Sequence, residues 1–151
     1  MLKIAGSYQL EAPIEAVWPR IFDPQSLMSL IPGCQQLEQI TPDEYRGHIR
    51  VGIAAVSGAY QTYVKVIQRD PPHQCRFAGE VSGPTGIVQG DVSFTLKEVA
   101  GRNSQIDYQA QALITGALAQ LNSRFIEGIA RTLINHGLAN LNKQLRAQVQ
   151  P

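Results

Sequence analysis

No apolar run in this sequence approaches the roughly 18 residues that a membrane-spanning helix needs, and no basic, apolar and small-residue leader opens it. The expected location is therefore the cytoplasm. Charge of one sign is lacking too: 13 Lys and Arg against 12 Asp and Glu leave +1, which gives no electrostatic footprint for nucleic acid. Cysteine is scarce. Cys34 and Cys75 stand far apart with no histidine cluster beside them, so no zinc pattern forms and both read as buried thiols. His48, His73 and His136 fall on an outward strand face, in a loop and on a terminal helix, the last expected near that helix's inward side. None has an acid or cysteine beside it in a catalytic pattern, so no catalytic residue, metal or cofactor is expected. Gly83-Pro84-Thr85-Gly86 with Gly90 makes no phosphate loop, because a strand follows it where a helix N-terminus is needed.

What is present is periodicity. The 151 residues, 44% of them hydrophobic, suffice for one domain spanning residues 1–151 with a core of its own. The longest pattern runs from Leu118 to Leu145. There Phe125, Ile126, Ile129, Ala130, Leu133, Ile134, Leu138, Leu141 and Leu145 recur at helical spacing. Glu127 precedes Arg131 by four residues, the better orientation for an exposed pair. About 28 residues at 1.5 Å each reach roughly 42 Å, enough to cross a small domain. Arg124, Arg131, Lys143 and Arg146 against Glu127 give this end +3 and leave −2 elsewhere. A solvated helix face accounts for that; a surface for anionic membrane or an acidic partner is the other reading.

Upstream, Leu2 to Leu10 alternates as a half-buried strand. Pro13 opens a short helix whose Ile14, Val17, Trp18, Ile21 and Phe22 share one side. Asp23-Pro24 breaks it, Ser26 to Ile31 forms a second, and Pro32-Gly33 closes that one. The period then falls to two. Strands are expected at Glu44 to Val56, Ala59 to Arg69, Gln74 to Ser82, Gly86 to Glu98 and Ser104 to Gly116, with Ser57-Gly58 as a tight hairpin turn. Outward-facing Asp91 and Asp107 read as solvent-exposed. Consecutive strands on short turns make an antiparallel meander whose apolar face must be covered, and only the terminal helix is long enough. The expected fold is α+β: a curved antiparallel sheet of six to seven strands around a long C-terminal helix, with two short helices after the first strand.

This order, with its local phrases, resembles the helix-grip superfamily of START domains, pathogenesis-related allergens and polyketide cyclases. Within it the likeness is to the CoxG-type family, the G subunit of carbon monoxide dehydrogenase. LEAPIEAVWPRIFDP (Leu10 to Pro24), IPGC (Ile31 to Cys34), SGPTGIVQG (Ser82 to Gly90) and above all GALAQLNSRFIEGIARTLI (Gly116 to Ile134) carry the likeness. Asn122 departs from it, standing where the family has glycine. Longer relatives carry a further tail linked to membrane association. The chain ends at Pro151, so no anchor of that kind is expected.

Small residues crowd the inward faces: Gly47, Ala55, Gly79, Gly90, Ala110 and Ala112 on strands, and Gly128, Ala130, Gly137 and Ala139 on the helix. Interiors pack at about 0.74 density, so either sheet and helix approach closely or a cavity remains. The resemblance implies the cavity, holding a hydrophobic ligand between sheet and helix. Its candidate lining is Tyr45, Ile49, Val51, Tyr60, Val64, Phe77, Phe94 and Tyr108 from strands, with Leu27, Leu30, Leu121, Phe125 and Ile129 from helices. Apolar walls with a few tyrosine hydroxyls suit a long apolar molecule with one polar head, such as a quinone. The resemblance further implies a non-catalytic accessory to a molybdenum hydroxylase of the carbon monoxide dehydrogenase type, with transient contact at the inner membrane face. A cyclase- or dehydratase-like enzyme using the same cavity, and an interaction protein with a filled core, are the alternatives.

Overall fold

The structure, a computed structural model, describes residues 1–31, 33–53 and 56–149. The elements run β1 (Leu2–Leu10), α1 (Ile14–Phe22), α2 (Pro24–Leu30), β2 (Cys34–Thr41), β3 (Glu44–Val51), β4 (Gly58–Asp70), β5 (Gln74–Gly83), β6 (Gly86–Val99), β7 (Asn103–Thr115), a 3-10 turn (Gly116–Gln120) and α3 (Ser123–Val149). One seven-stranded antiparallel sheet, in the order β1-β7-β6-β5-β4-β3-β2, bends around the helices, so the expected curved sheet and terminal helix are both present.

Four boundaries differ from expectation, each for a local reason. α2 starts two residues early, because Asp23-Pro24 serves as its cap and first residue. The Asp23 carboxylate accepts from the Ser26 amide at 3.1 Å, and proline tolerates the first helical position. β2 is almost wholly exposed at the sheet edge, with no apolar alternation to announce it. β3 stops at Val51, not Val56, because Val51 already pairs with Gly58; the two strands are joined by Gly52 to Ser57 in place of a two-residue turn. Within that connection Ala55, expected on the inward face, lies outside the described residues, as does Pro32 at the end of α2.

The fourth concerns the long helix. It begins at Ser123, not Leu118. Gly116 turns at φ +81°, where a side chain is strained, and the Leu118 amide donates to the Thr85 carbonyl at 2.8 Å, which holds the preceding residues in a separate turn. Asn122 then caps α3: its side-chain oxygen accepts from the Arg124 amide at 2.8 Å. That capping role is the physical reason for an asparagine at this position.

The closed core occupies one half of the concave face. Leu10, Ile14, Val17 and Ile21 meet Val66, Cys75, Leu96 and Ile106, and Leu141 and Leu145 of α3 complete it. Trp18, Phe22, Phe77 and Phe94 form a ring of aromatic contacts with centroids 4.9–6.1 Å apart. The C-terminal half of α3 is clamped here. Asn142 accepts from the Glu11 amide at 2.8 Å, Arg146 pairs with Glu11 at 3.2 Å, and Asn140 donates to the Ser29 carbonyl at 3.1 Å.

Candidate functional site

Beyond that core the concave face is apolar but incompletely covered. Alternation from the buried Phe94 and Leu96 places Val88 and Val92 on the inner face of β6. Likewise Gly79 and Val81 follow Cys75 on β5, and Ala110, Ala112 and Ile114 follow Tyr108 on β7. Val92 is 40% exposed, and the others are only half-buried. The N-terminal half of α3 is tied to the sheet at its β1 edge, where Arg131 donates to the Ala5 carbonyl at 3.2 Å while pairing with Glu127. Phe125 on this half is 41% exposed, and Ile126, Ile129 and Leu133 are half-buried. These partly exposed apolar residues of β5–β7 and of the first turns of α3 mark the candidate ligand groove. No helix among the described residues is long and apolar enough to cross a membrane.

The small residues divide between the two roles anticipated for them. A Cβ on Gly90 would lie 2.1 Å from the Gln111 carbonyl oxygen, and one on Gly47 2.2 Å from that of Gln36, so these glycines let strongly bent strands approach. Gly137 likewise permits α2 and α3 to touch, with the Leu30 carbonyl oxygen 2.1 Å from where a Cβ would sit. Gly79, in contrast, meets only the Tyr63 carbonyl, at 3.5 Å, so a side chain has ordinary room there.

The thirteen expected lining residues do not form one wall. Leu27, Tyr45, Phe94 and Tyr108 belong to the closed core, and Leu30, Val64 and Phe77 pack against it. Ile49 and Tyr60 are buried outside that cluster. Val51, Leu121 and Ile129 are half-buried, and Phe125 is exposed. The Tyr45 hydroxyl donates to the Phe22 carbonyl at 2.7 Å and the Tyr60 hydroxyl to that of Val56 at 2.6 Å, which removes both as ligand donors. Large side chains mark the core end. The floor of the groove is instead made by Val81, Val88, Val92, Ala110 and Ala112, whose inward parity is legible in the sequence but whose exposure is not.

Two expectations about α3 are corrected. His136 is exposed, not turned inward. Gly128 is exposed, with no atom within 4 Å of a built Cβ, and shares its side of the helix with exposed Phe125 and Thr132 rather than with Leu141 and Leu145. Gly128→Leu is therefore expected to leave ligand affinity unchanged within about twofold, measured by displacement of a bound apolar dye.

The outer face carries the polar chemistry. Asp91 pairs with Arg76, and Asp107 with Lys97 while accepting from Ser7, so both are held half-buried in ion pairs where full exposure was expected. The bond from Arg76 holds Asp91 below the usual carboxylate range, and the bond from Ser7 does the same for Asp107. A shallow depression of about 540 Å³ lies beside them, where Gln68, Gln74, Arg76, Ser93, Asp107 and Gln109 line it together with parts of Cys75, Phe94 and Tyr108. Tyr63 donates to Glu44, which lowers the carboxyl and raises the phenol, again on the outer face. His48 and His73 are exposed, and no three His, Cys, Asp or Glu among the described residues are grouped to hold a metal. Burial pushes the Cys75 thiol up to about 11 and raises that of half-buried Cys34, which suits neither as a nucleophile.

Residues 6–146 match the family described as the G subunit of carbon monoxide dehydrogenase (CoxG). The chain belongs to that family. Among solved structures, a conserved protein from Geobacillus kaustophilus is 29% identical, covers 97% of this chain and 96% of its own, and superposes with a TM-score of 0.93. A START superfamily protein from Mycobacterium smegmatis shares the fold at 7% identity and TM-score 0.76, covering 97% of this chain and 99% of its own. A protein from Chromobacterium violaceum does so at 13% identity and 0.72, over 96% and 98%. No curated protein matches the sequence. The CoxG chain thus has the helix-grip, START-like fold.

Proposed function

We propose that this CoxG-family chain is a non-catalytic carrier that holds a lipid- or quinone-like molecule in the groove. It would serve a molybdenum hydroxylase of the carbon monoxide dehydrogenase type, in assembly, membrane recruitment or delivery of an electron acceptor. The observation that carries the reading is the half-exposed apolar inner face of β5–β7, beside a helix whose first half is tied to the β1 edge through Arg131. Apolar surface of this extent is stabilised by a covering molecule, at about 25 cal/mol per Å² removed from water. The family supplies the partner; contact with the inner membrane face would be transient, as the carrier loads.

No observation favours the cyclase reading. An acid–base pair facing the groove would be required, whereas the histidines are exposed and the Tyr63–Glu44 pair faces outward. Native mass spectrometry of gently purified protein, followed by organic extraction, tests the carrier. A bound apolar species, or uptake of added quinone at one per chain, is expected. Recovery of no lipid together with failure to bind quinones sinks the proposal and favours a pure interaction protein.

A further inference from the structure

We infer that Thr62 is the polar contact of this groove: its hydroxyl hydrogen-bonds a neutral oxygen on the ligand's head, which selects uncharged carbonyl- or hydroxyl-bearing lipids over carboxylates. The inference rests on the carrier reading and adds the chemistry of the head group to it.

Three polar residues are buried among those described: Ser26, Thr62 and Ser104. Buried polar groups are almost always partnered, and two of the three comply. Ser26 donates to Asp23, and Ser104 donates to the Ala12 carbonyl. Thr62 is 5% exposed, yet its hydroxyl has no hydrogen-bond partner among the described residues. Nor is it sealed away. The one side-chain oxygen or nitrogen both sealed and unpartnered among the described residues is Oε1 of Gln144, so the Thr62 hydroxyl reaches open space. Tyr108, the other buried hydroxyl without a partner, lies elsewhere, over Gly6 of β1, where a Cβ would be 2.5 Å from the phenolic oxygen.

Register places the Thr62 hydroxyl beside the floor. Thr62 shares the inward side of β4 with buried Tyr60 and Val66. It stands opposite Val81, and the same row continues through Val88 to Ile114, all three only half-buried. Residues directly opposite one another have Cβ atoms about 4.5–5.5 Å apart. One row on, Gly79 has no side chain, and a Cβ built there meets, beyond its chain neighbours, only the Tyr63 carbonyl oxygen within 4 Å. The other flank is closed. There Thr62 faces Gly47, where a Cβ would lie 2.2 Å from the Gln36 carbonyl oxygen and 3.0 Å from a methyl of Leu37. The open direction from Thr62 is therefore toward Val81 and Gly79.

The surroundings of that hydroxyl decide the head group. Neither its row nor the next, with Tyr45, Val64, Gly79, Gly90 and Ala112, carries a charge. A carboxylate there would exchange its water for one hydroxyl, which does not offset the desolvation of a charge. A neutral carbonyl or hydroxyl loses far less and gains a partner, since threonine both donates and accepts.

Nile red displacement by a matched series tests the claim: methyl para-decylbenzoate has a neutral carbonyl, para-decylbenzoate a charge, and decylbenzene neither. The carboxylate is expected to bind at least about tenfold more weakly than its ester. Thr62→Val keeps the branched shape and removes the hydroxyl. It should weaken the ester about three- to tenfold while leaving decylbenzene unchanged, and Thr62→Ser should restore the ester. The infrared carbonyl stretch of the bound ester should move to higher frequency in Thr62→Val, a shift that a purely structural role would not produce. Without ligand, the urea midpoint of Thr62→Val should not fall, because no protein partner is lost. If neither the ester nor decylbenzene displaces the dye from the wild type, the carrier reading itself fails. If both bind and Thr62→Val changes neither, weakens both equally or lowers the urea midpoint, the groove stands and the Thr62 contact is overturned. A carboxylate that binds as tightly as its ester overturns the neutral head.

Discussion

Gly137→Ala is expected to destabilise the protein by roughly 2 kcal/mol and lower its Tm by about 4–8 °C. Intrinsic propensity points the other way, since alanine in a helix interior is favoured over glycine by about 1 kcal/mol. The added Cβ would, however, sit 2.1 Å from the Leu30 carbonyl oxygen, and that atom is backbone that cannot rotate aside. Helices α2 and α3 must separate, loosening buried Leu141 and the Asn140–Ser29 bond. Gly128→Ala is the matched control on the same helix. Nothing lies within 4 Å of its Cβ, so it should gain stability by about 0.5–1 kcal/mol. Opposite signs in urea unfolding of the two variants would place the tight helix crossing at Gly137. A stabilising Gly137→Ala would mean that α2 and α3 do not meet there.

Ala110→Phe is expected to cut affinity for an apolar ligand about tenfold to a hundredfold while changing stability by less than about 1 kcal/mol. Ala110 lies on the floor between Ile4 and Val92 and is only half-buried, so a larger side chain extends into the groove and not into packed core. Phenylalanine suits a strand as well as alanine or better. A ligand must then share its space with the new ring; overpacking of that order costs about 1–3 kcal/mol, and each 1.4 kcal/mol is tenfold in affinity. Dye displacement reads the affinity and urea unfolding the stability.

The fold is legible in the sequence because its strongest signals are periodic. Alternation in β1, β4 and β7 and the helical run from Phe125 to Leu145 each fix a buried face, and one antiparallel sheet with one long helix is the simplest way to join them. What escapes has no apolar period. β2 is an exposed edge whose hydrogen bonds to β3, not its side chains, make it a strand. The start of α3 is hidden because Leu118 and Leu121 fit the helical spacing while a backbone bond to Thr85 and the Asn122 cap set the boundary.

The site is legible only in part, for a related reason. Parity tells which residues point inward but not how far the covering helix stands from them. It therefore marks Tyr45, Phe94 and Leu27 as lining although they are core, and gives Val92 and Val88 no distinction. Glycine contributes no hydrophobic signal to a helical face, so the sequence does not say on which side of α3 Gly128 lies; the packing of Leu141 and Leu145 decides it.

The central claim is that the half-covered floor of β5–β7 is a ligand groove. Trp18 is the single tryptophan and packs 6.1 Å from Phe94, two residues along β6 from Val92, so its fluorescence is the built-in probe nearest the floor. Titration with decylubiquinone should quench Trp18 to saturation at one ligand per chain in the wild type, and the same curve should shift to at least about tenfold higher concentration in Ala110→Phe. Quenching that never saturates in the wild type, or saturates identically in both proteins, would contradict the account.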